Sequence, residues 1–322
     1  MTLIPLAPSE IRARRRPGAI LMVFLWELGW GFLIASAVHA WARRVWGADV
    51  EGDAALWRPG GRDLLAWLDL DDPALAVSAR MLFLLLFVSA VASQLPLGAL
   101  LTSLAFERED ARPPRARAAM RAGVSAFMPL AGLLVLGALA QILVVVAGVM
   151  ISSGVDHGLA EKIGDARSFV LRVVTFALFA AIACVIGVFV DLARAAVGRE
   201  AGGGGDAPGW TTMLRGIRAA MDASRGRLSR ATIAWAWRAA LGVLLVGLGA
   251  IAASALGGKG GAALVALFVI HQLVVLGRVA LRASWLARAL GMVIEAPRAI
   301  ATEAPAEIAP AEDAQREAES ER

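Results

Sequence analysis

Residues 18–42 read GAILMVFLWELGWGFLIASAVHAWA, twenty-five residues carrying one formal charge, Glu27. At about 1.5 Å per residue, a helix of this length crosses a hydrocarbon layer of about 30 Å. Further apolar runs occupy residues 78–106, 123–151, 168–190, 231–256 and 261–283. Backbone amides in lipid must be satisfied within their own segment, so the expected fold is all-α: a polytopic bundle of six spans with interfacial amphipathic helices. The membrane domain is expected over 18–293, after a basic lead (1–17) and before an Ala/Glu/Pro tail (294–322) too poor in apolar residues to order itself.

Composition agrees with this reading. The chain is 58% hydrophobic, above the roughly 45–50% of soluble domains. The net charge is +5, and a pI near 10.7 would suggest nucleic acid in a soluble protein. Here, however, the arginines flank the apolar runs, where topology and anionic lipid call for them; no nucleic-acid partner is expected. Lysine occurs only at Lys162 and Lys259, and the other basic residues are arginine amid abundant Ala and Gly, a bacterial pattern.

Positive charge sorts by loop. Sixteen basic residues lie in the N-terminus (Arg12, Arg14, Arg15, Arg16), the second loop (from Arg108 to Arg121) and the fourth (from Arg194 to Arg230). Seven lie in the first, third and fifth loops. The expected placement is the bacterial inner membrane with both termini cytoplasmic. Val38-His39-Ala40 mimics a signal cleavage site, but the apolar run is longer than a signal core, so the span is read as retained.

The connections carry their own signals. The acidic first loop, 43–77, contains GRDLLAWLDLDD, which suits a short surface helix or a lid, and Trp41 and Trp46 stand where belt aromatics do. Pro96 predicts a kink in the second span, whose freed carbonyl falls to neighbours or to Ser93. SSGVDHGLAEKIGDAR reads as a short loop, MLRGIRAAMDASRGRLSR as a basic helix on the membrane surface after a Gly-rich joint, and LRASWLARALGMV as an interfacial extension of span six. Arginine-rich leads before spans one, three and five form a weak three-hairpin repeat.

Polar groups inside the spans are the candidate site residues: Glu27, Gln94, Gln141, Arg238, His271, Gln272 and Arg278. An acid in hydrocarbon costs about 2.5–3.5 kcal/mol and needs protein or water around it. Glu27 lies at a depth matched by Arg238 and Arg278, so pairing with one of them is expected. His271, Arg278 and Arg282, seven and four residues apart, share a helix face and with Gln94 and Gln141 suit a polar cavity or a lipid head-group pocket. The competing reading is of isolated interhelical hydrogen bonds and snorkelling arginines. Gly31/Ala35 and Gly249/Ala253 have the spacing of close helix packing.

Several motifs fail on context. Gly247-Leu-Gly249-Ala-Ile-Ala252 fits G-x-G-x-x-A but lies mid-span with no preceding strand, and GGKGG lacks a P-loop's Ser/Thr and spacing. Ser152-Ser153-Gly154 stands at a span end, remote in depth from His271, which argues against an intramembrane serine protease. DLDD lacks the glycine and distal Glu of a calcium loop. One cysteine, Cys184, gives neither disulfide nor cysteine metal site. No catalytic motif, cofactor or metal site is expected.

DLAR at 191–194, MLRGIRAAMDASRGRLSR at 213–230 and VLGRVALRASW at 275–285 resemble a broad group of bacterial six-helix membrane proteins, akin to the membrane region attached to some glycerophosphodiester phosphodiesterases. The resemblance covers the second half of the chain. Nothing here matches the metal-dependent hydrolase domain of those enzymes, so it carries over no catalytic residue. Two functions stay open: a structural or assembly protein binding anionic lipid head groups, protein partners or its own copies through the basic face, and a small-molecule or lipid permease using the intramembrane polar groups.

Overall fold

A computed structural model of the chain describes residues 3–46, 73–203, 209–256 and 259–303. The fold is all-α. Among the described residues six segments are long and apolar enough to cross a membrane: Pro17–Ala40, Val77–Ala105, Ala116–Gly154, Asp165–Gly202, Leu228–Leu256 and Ala262–Ala296. The helices are α1 (Pro17–Trp46), α2 (Pro73–Ala92), α3 (Gln94–Ala105), α4 (Ala116–Ile163), α5 (Asp165–Gly202), α6 (Trp210–Ser224), α7 (Leu228–Leu256) and α8 (Ala262–Glu303). The acidic stretch GRDLLAWLDLDD, the side chains of Trp41 and Trp46, and the tail from 304 lie outside the described residues.

Several helices outrun the expected spans because their polar leads and exits keep the helical register. The stretch expected to be a loop after residue 151 is helical to Ile163, and the chain reverses at Gly164, whose φ of 82° suits a residue without Cβ. The second span breaks at Ser93, between α2 and α3. Pro96 explains the break: it lacks the N–H that would bond the carbonyl of Ala92, and its ring crowds that carbonyl. Gln94, rather than Ser93, adds a side-chain bond here, its Nε2 donating to the carbonyl of Ala90 at 2.9 Å.

Burial is concentrated at one end, where the N-termini of α1, α4 and α7 meet the C-termini of α3, α5 and α8. Leu100, Leu101, Leu104, Leu130, Leu192, Met213, Leu286 and Leu290 are all fully enclosed there. Two expectations are corrected by this core. LRASWLARALGMV is no lone extension of span six but packs into the core: Ala283, Trp285, Leu286, Ala289 and Leu290 are among the most buried residues of the protein, while Arg282 and Arg288 stay exposed. And MLRGIRAAMDASRGRLSR is not one surface helix. It divides at Gly226, φ 64°, between α6 and α7. Met213, Gly216, Ala220 and Ala223 close over α5 and α8, while Trp210, Leu214 and Met221 stay exposed.

The N-terminal lead is structured as well. Leu3–Pro5 pairs antiparallel with Phe106–Arg108, and two 3-10 turns follow, Pro8–Glu10 and Ala13–Arg15. Ile11 and Ala13 are buried whereas Arg12 and Arg14 are exposed. Arg16 is enclosed and donates to the carbonyl of Phe106 at 3.3 Å. Burial holds its guanidinium pKa below the ordinary arginine value, with Glu107 opposing the shift.

Close helix approach uses one of the expected glycines, Gly249, and others besides. A Cβ on Gly123 of α4 would fall 2.5 Å from the carbonyl oxygen of Leu95, and one on Gly98 of α3 would fall 2.9 Å from the Cα of Gly123. Only glycine lets these backbones cross so closely. A Cβ on Gly31 would meet nothing within 4 Å, so Gly31 makes no such contact, whereas Gly249 does face α8, with Val274 at 3.3 Å.

Candidate functional site

Two helical hairpins, α4/α5 and α7/α8, meet mainly through α5 and α8, and a cavity of about 690 Å3 lies between them. Gly137, Gly187, Val190, Gly242, Val243 and Val246 form apolar walls, and Arg194, Arg238, Arg278 and Arg282 stand around Asp191, the one carboxylate among the described residues of the lining. The cavity is therefore amphipathic, with four guanidinium groups to one acid.

Each charge is placed by its helix. Asp191 and Arg194, one turn apart on α5, form an ion pair at 3.0 Å, both side chains largely covered. The second carboxylate oxygen accepts the indole N–H of Trp285 at 2.9 Å. Asp191 thus fixes α5 to α8 while committing its charge to Arg194. The Nε of Arg194 is buried with no hydrogen-bond partner among the described residues, a costly state for a charged donor. Arg278, Arg282 and Trp285 repeat at four and three residues, so they share one face of α8.

Arg238, ten residues into α7, is held on three sides. Its Nε donates to Ser284 Oγ at 3.2 Å, an Nη donates to the carbonyl of Ala234 at 2.6 Å, and its Cζ lies 4.9 Å from the ring centroid of Trp237. Cation–π contact and neutral hydrogen bonds thus engage the guanidinium, and no carboxylate among the described residues forms an ion pair with it. Gln141 enters from α4, donating to the carbonyl of Ala183 on α5 at 3.0 Å; a Cβ on Gly187 would meet its Nε2 at 2.9 Å.

The expected cluster therefore divides. Gln141, Arg238 and Arg278 come together here. Glu27, Gln94, His271 and Gln272 do not line this cavity. Gln94 is enclosed near the Ser93 break, and its Oε1, like the buried Oε1 of Gln272, accepts no bond from the described residues. His271 lies toward Gly249 of α7. The pairing expected for Glu27 is corrected: among the described residues no ion pair joins it to Arg238 or Arg278. Arg238 is engaged instead by Ser284, Ala234 and Trp237, all on its own helix or α8.

Asp191, Arg194 and Trp285 are candidate site residues that do not stand out in the sequence as intramembrane polar groups. They sit at the ends of apolar runs, where charge looks like an ordinary boundary. The signal was present in DLAR and RASW, two of the stretches behind the resemblance; in three dimensions these meet across one cavity. No family model, no curated protein and no solved structure matches the chain.

Proposed function

We propose that this chain is an integral component of a bacterial cytoplasmic membrane, with both termini in the cytoplasm, that binds an anionic lipid in the cavity between its two hairpins. The carrying observation is the pairing of an apolar wall with Arg278 and Arg282, two guanidinium groups left over once Asp191 is committed to Arg194 and Trp285. Basic pockets between spanning helices near the cytoplasmic side suit phosphate head groups, and arginine offers forked donors for phosphate oxygens. The unpartnered Nε of Arg194 adds a further donor. The apolar wall then accepts the chain-bearing part of the lipid.

This reading supports a structural or assembly role more than a permease. A transport path would join Glu27, Gln94 and His271, and none of the three enters the cavity. The test is thermal unfolding of the detergent-purified chain with phosphatidylglycerol or phosphatidylcholine added. The anionic lipid should raise the midpoint and the zwitterionic one should not, and R278Q/R282Q should erase the difference. Equal effects of the two lipids on the parent chain would refute the proposal.

A further inference from the structure

A second pocket, of about 430 Å3, adjoins the first at Arg238. It lies between the N-terminal arm and the α7/α8 pair. Arg12 and Arg14 reach it from the arm, Arg288 from α8 and Arg238 from α7, with Ser284 and Ile20 also on its wall. Among the described residues no carboxylate lines it. Four guanidinium groups without an acid repel one another, and the repulsion grows as water is excluded.

The arm is not drawn there by ion pairing. Its strand pairing, the bond from the Leu6 amide to the carbonyl of Ala105 at 2.9 Å, and the burial of Leu6, Ile11 and Ala13 set its path. Alternation of buried Ile11 and Ala13 with exposed Arg12 and Arg14 then directs the two arginines outward. Apolar burial thus holds like charges together at a place where an anion would relieve them.

Arg238 belongs to both pockets, and its bond to Ser284 fixes it on the wall between them. We propose that the ligand carries two anionic groups, one among Arg194, Arg278 and Arg282, the other among Arg12, Arg14 and Arg288, with Arg238 between. A lipid with two phosphodiester groups is the class that fits. This inference rests on the lipid reading of the first cavity and adds the number of its charges.

The experiment uses the full chain in detergent, with binding of diphosphatidylglycerol, phosphatidylglycerol and phosphatidylcholine measured by native mass spectrometry at matched phosphate concentration. The parent chain should bind the two-phosphate lipid about tenfold or more tighter than phosphatidylglycerol. R12Q/R288Q, both positions exposed and so neutral to folding, should bring that affinity down to the one-phosphate level while leaving phosphatidylglycerol binding unchanged. R278Q/R282Q should weaken both. Equal affinity of the parent chain for the two anionic lipids, or an equal loss of both in R12Q/R288Q, would overturn the two-anion proposal while the single-cavity reading survived. Indifference to phosphatidylglycerol over phosphatidylcholine would remove both together. Displacement by inorganic pyrophosphate as effective as by lipid would assign the pair of pockets to a soluble anion and overturn it too.

Discussion

Leu286 and Phe83 are both large apolar side chains on spanning helices, yet Leu286 is fully buried and Phe83 is 72% exposed. They represent two regions. At the arginine-rich end α3, α4, α5, α6 and α8 enclose a core that includes Leu101, Leu192, Met213 and Leu290. Toward the other end, α2, α4, α5, α7 and α8 leave Phe83, Leu143, Val174, Ile251 and Val265 uncovered. Helix faces in hydrocarbon gain little from burying leucine, since lipid tails are equally apolar. Faces that emerge among arginines meet water, and there the hydrophobic effect drives packing. The cavity stands where the two regimes meet, which gives it both an apolar wall and a cationic rim.

The strongest test of this contrast is Asp191→Ala. It leaves Arg194 buried and uncompensated and frees the Trp285 indole, and loss of one partner of a buried pair costs about 3–5 kcal/mol; detergent-phase chemical unfolding should record a drop of that size. Core truncation comes next. Leu286→Ala should cost about 2–5 kcal/mol while Phe83→Ala, at a lipid-facing site, should leave the unfolding midpoint nearly where it was. Comparable losses at the two positions would erase the distinction between the regions.

A glycine pair sharpens the comparison at backbone level. Gly123→Ala pushes a methyl into the Leu95 carbonyl and should cost about 1–3 kcal/mol, whereas Gly31→Ala meets open space and should be tolerated. Thermal melts of the two variants side by side decide it. The smallest effect is expected for Glu27→Gln: with no ion pair to Arg238 or Arg278 to lose, stability should stay within about 0.5 kcal/mol of the parent. A large loss would mean that Arg282 or Arg278 closes on Glu27 in the membrane.

The spans were legible because each is a long apolar run, a local property read without reference to any other helix. The kink near Pro96 was legible for the same reason. The site was legible in part. Gln141, Arg238 and Arg278 stand out as polar residues in apolar surroundings, but Asp191, Arg194 and Trp285 do not, because a charge at a span end is what any boundary shows. LRASWLARALGMV illustrates the limit: its mixture of arginine and apolar residues suits an interfacial helix as well as a buried one with its arginines facing outward.

Hydropathy along the chain determined that this is a six-span helical membrane protein with a basic set of helix ends, since the cost of exposing polar backbone or charge to lipid depends on the segment alone. Tertiary structure decided which helices touch, that the N-terminal arginines stand beside α8, and that Asp191 joins Arg194 and Trp285 while Glu27 pairs with neither Arg238 nor Arg278. Those outcomes depend on which faces meet and on where a missing Cβ lets backbones approach, and neither is encoded at any single position of the chain.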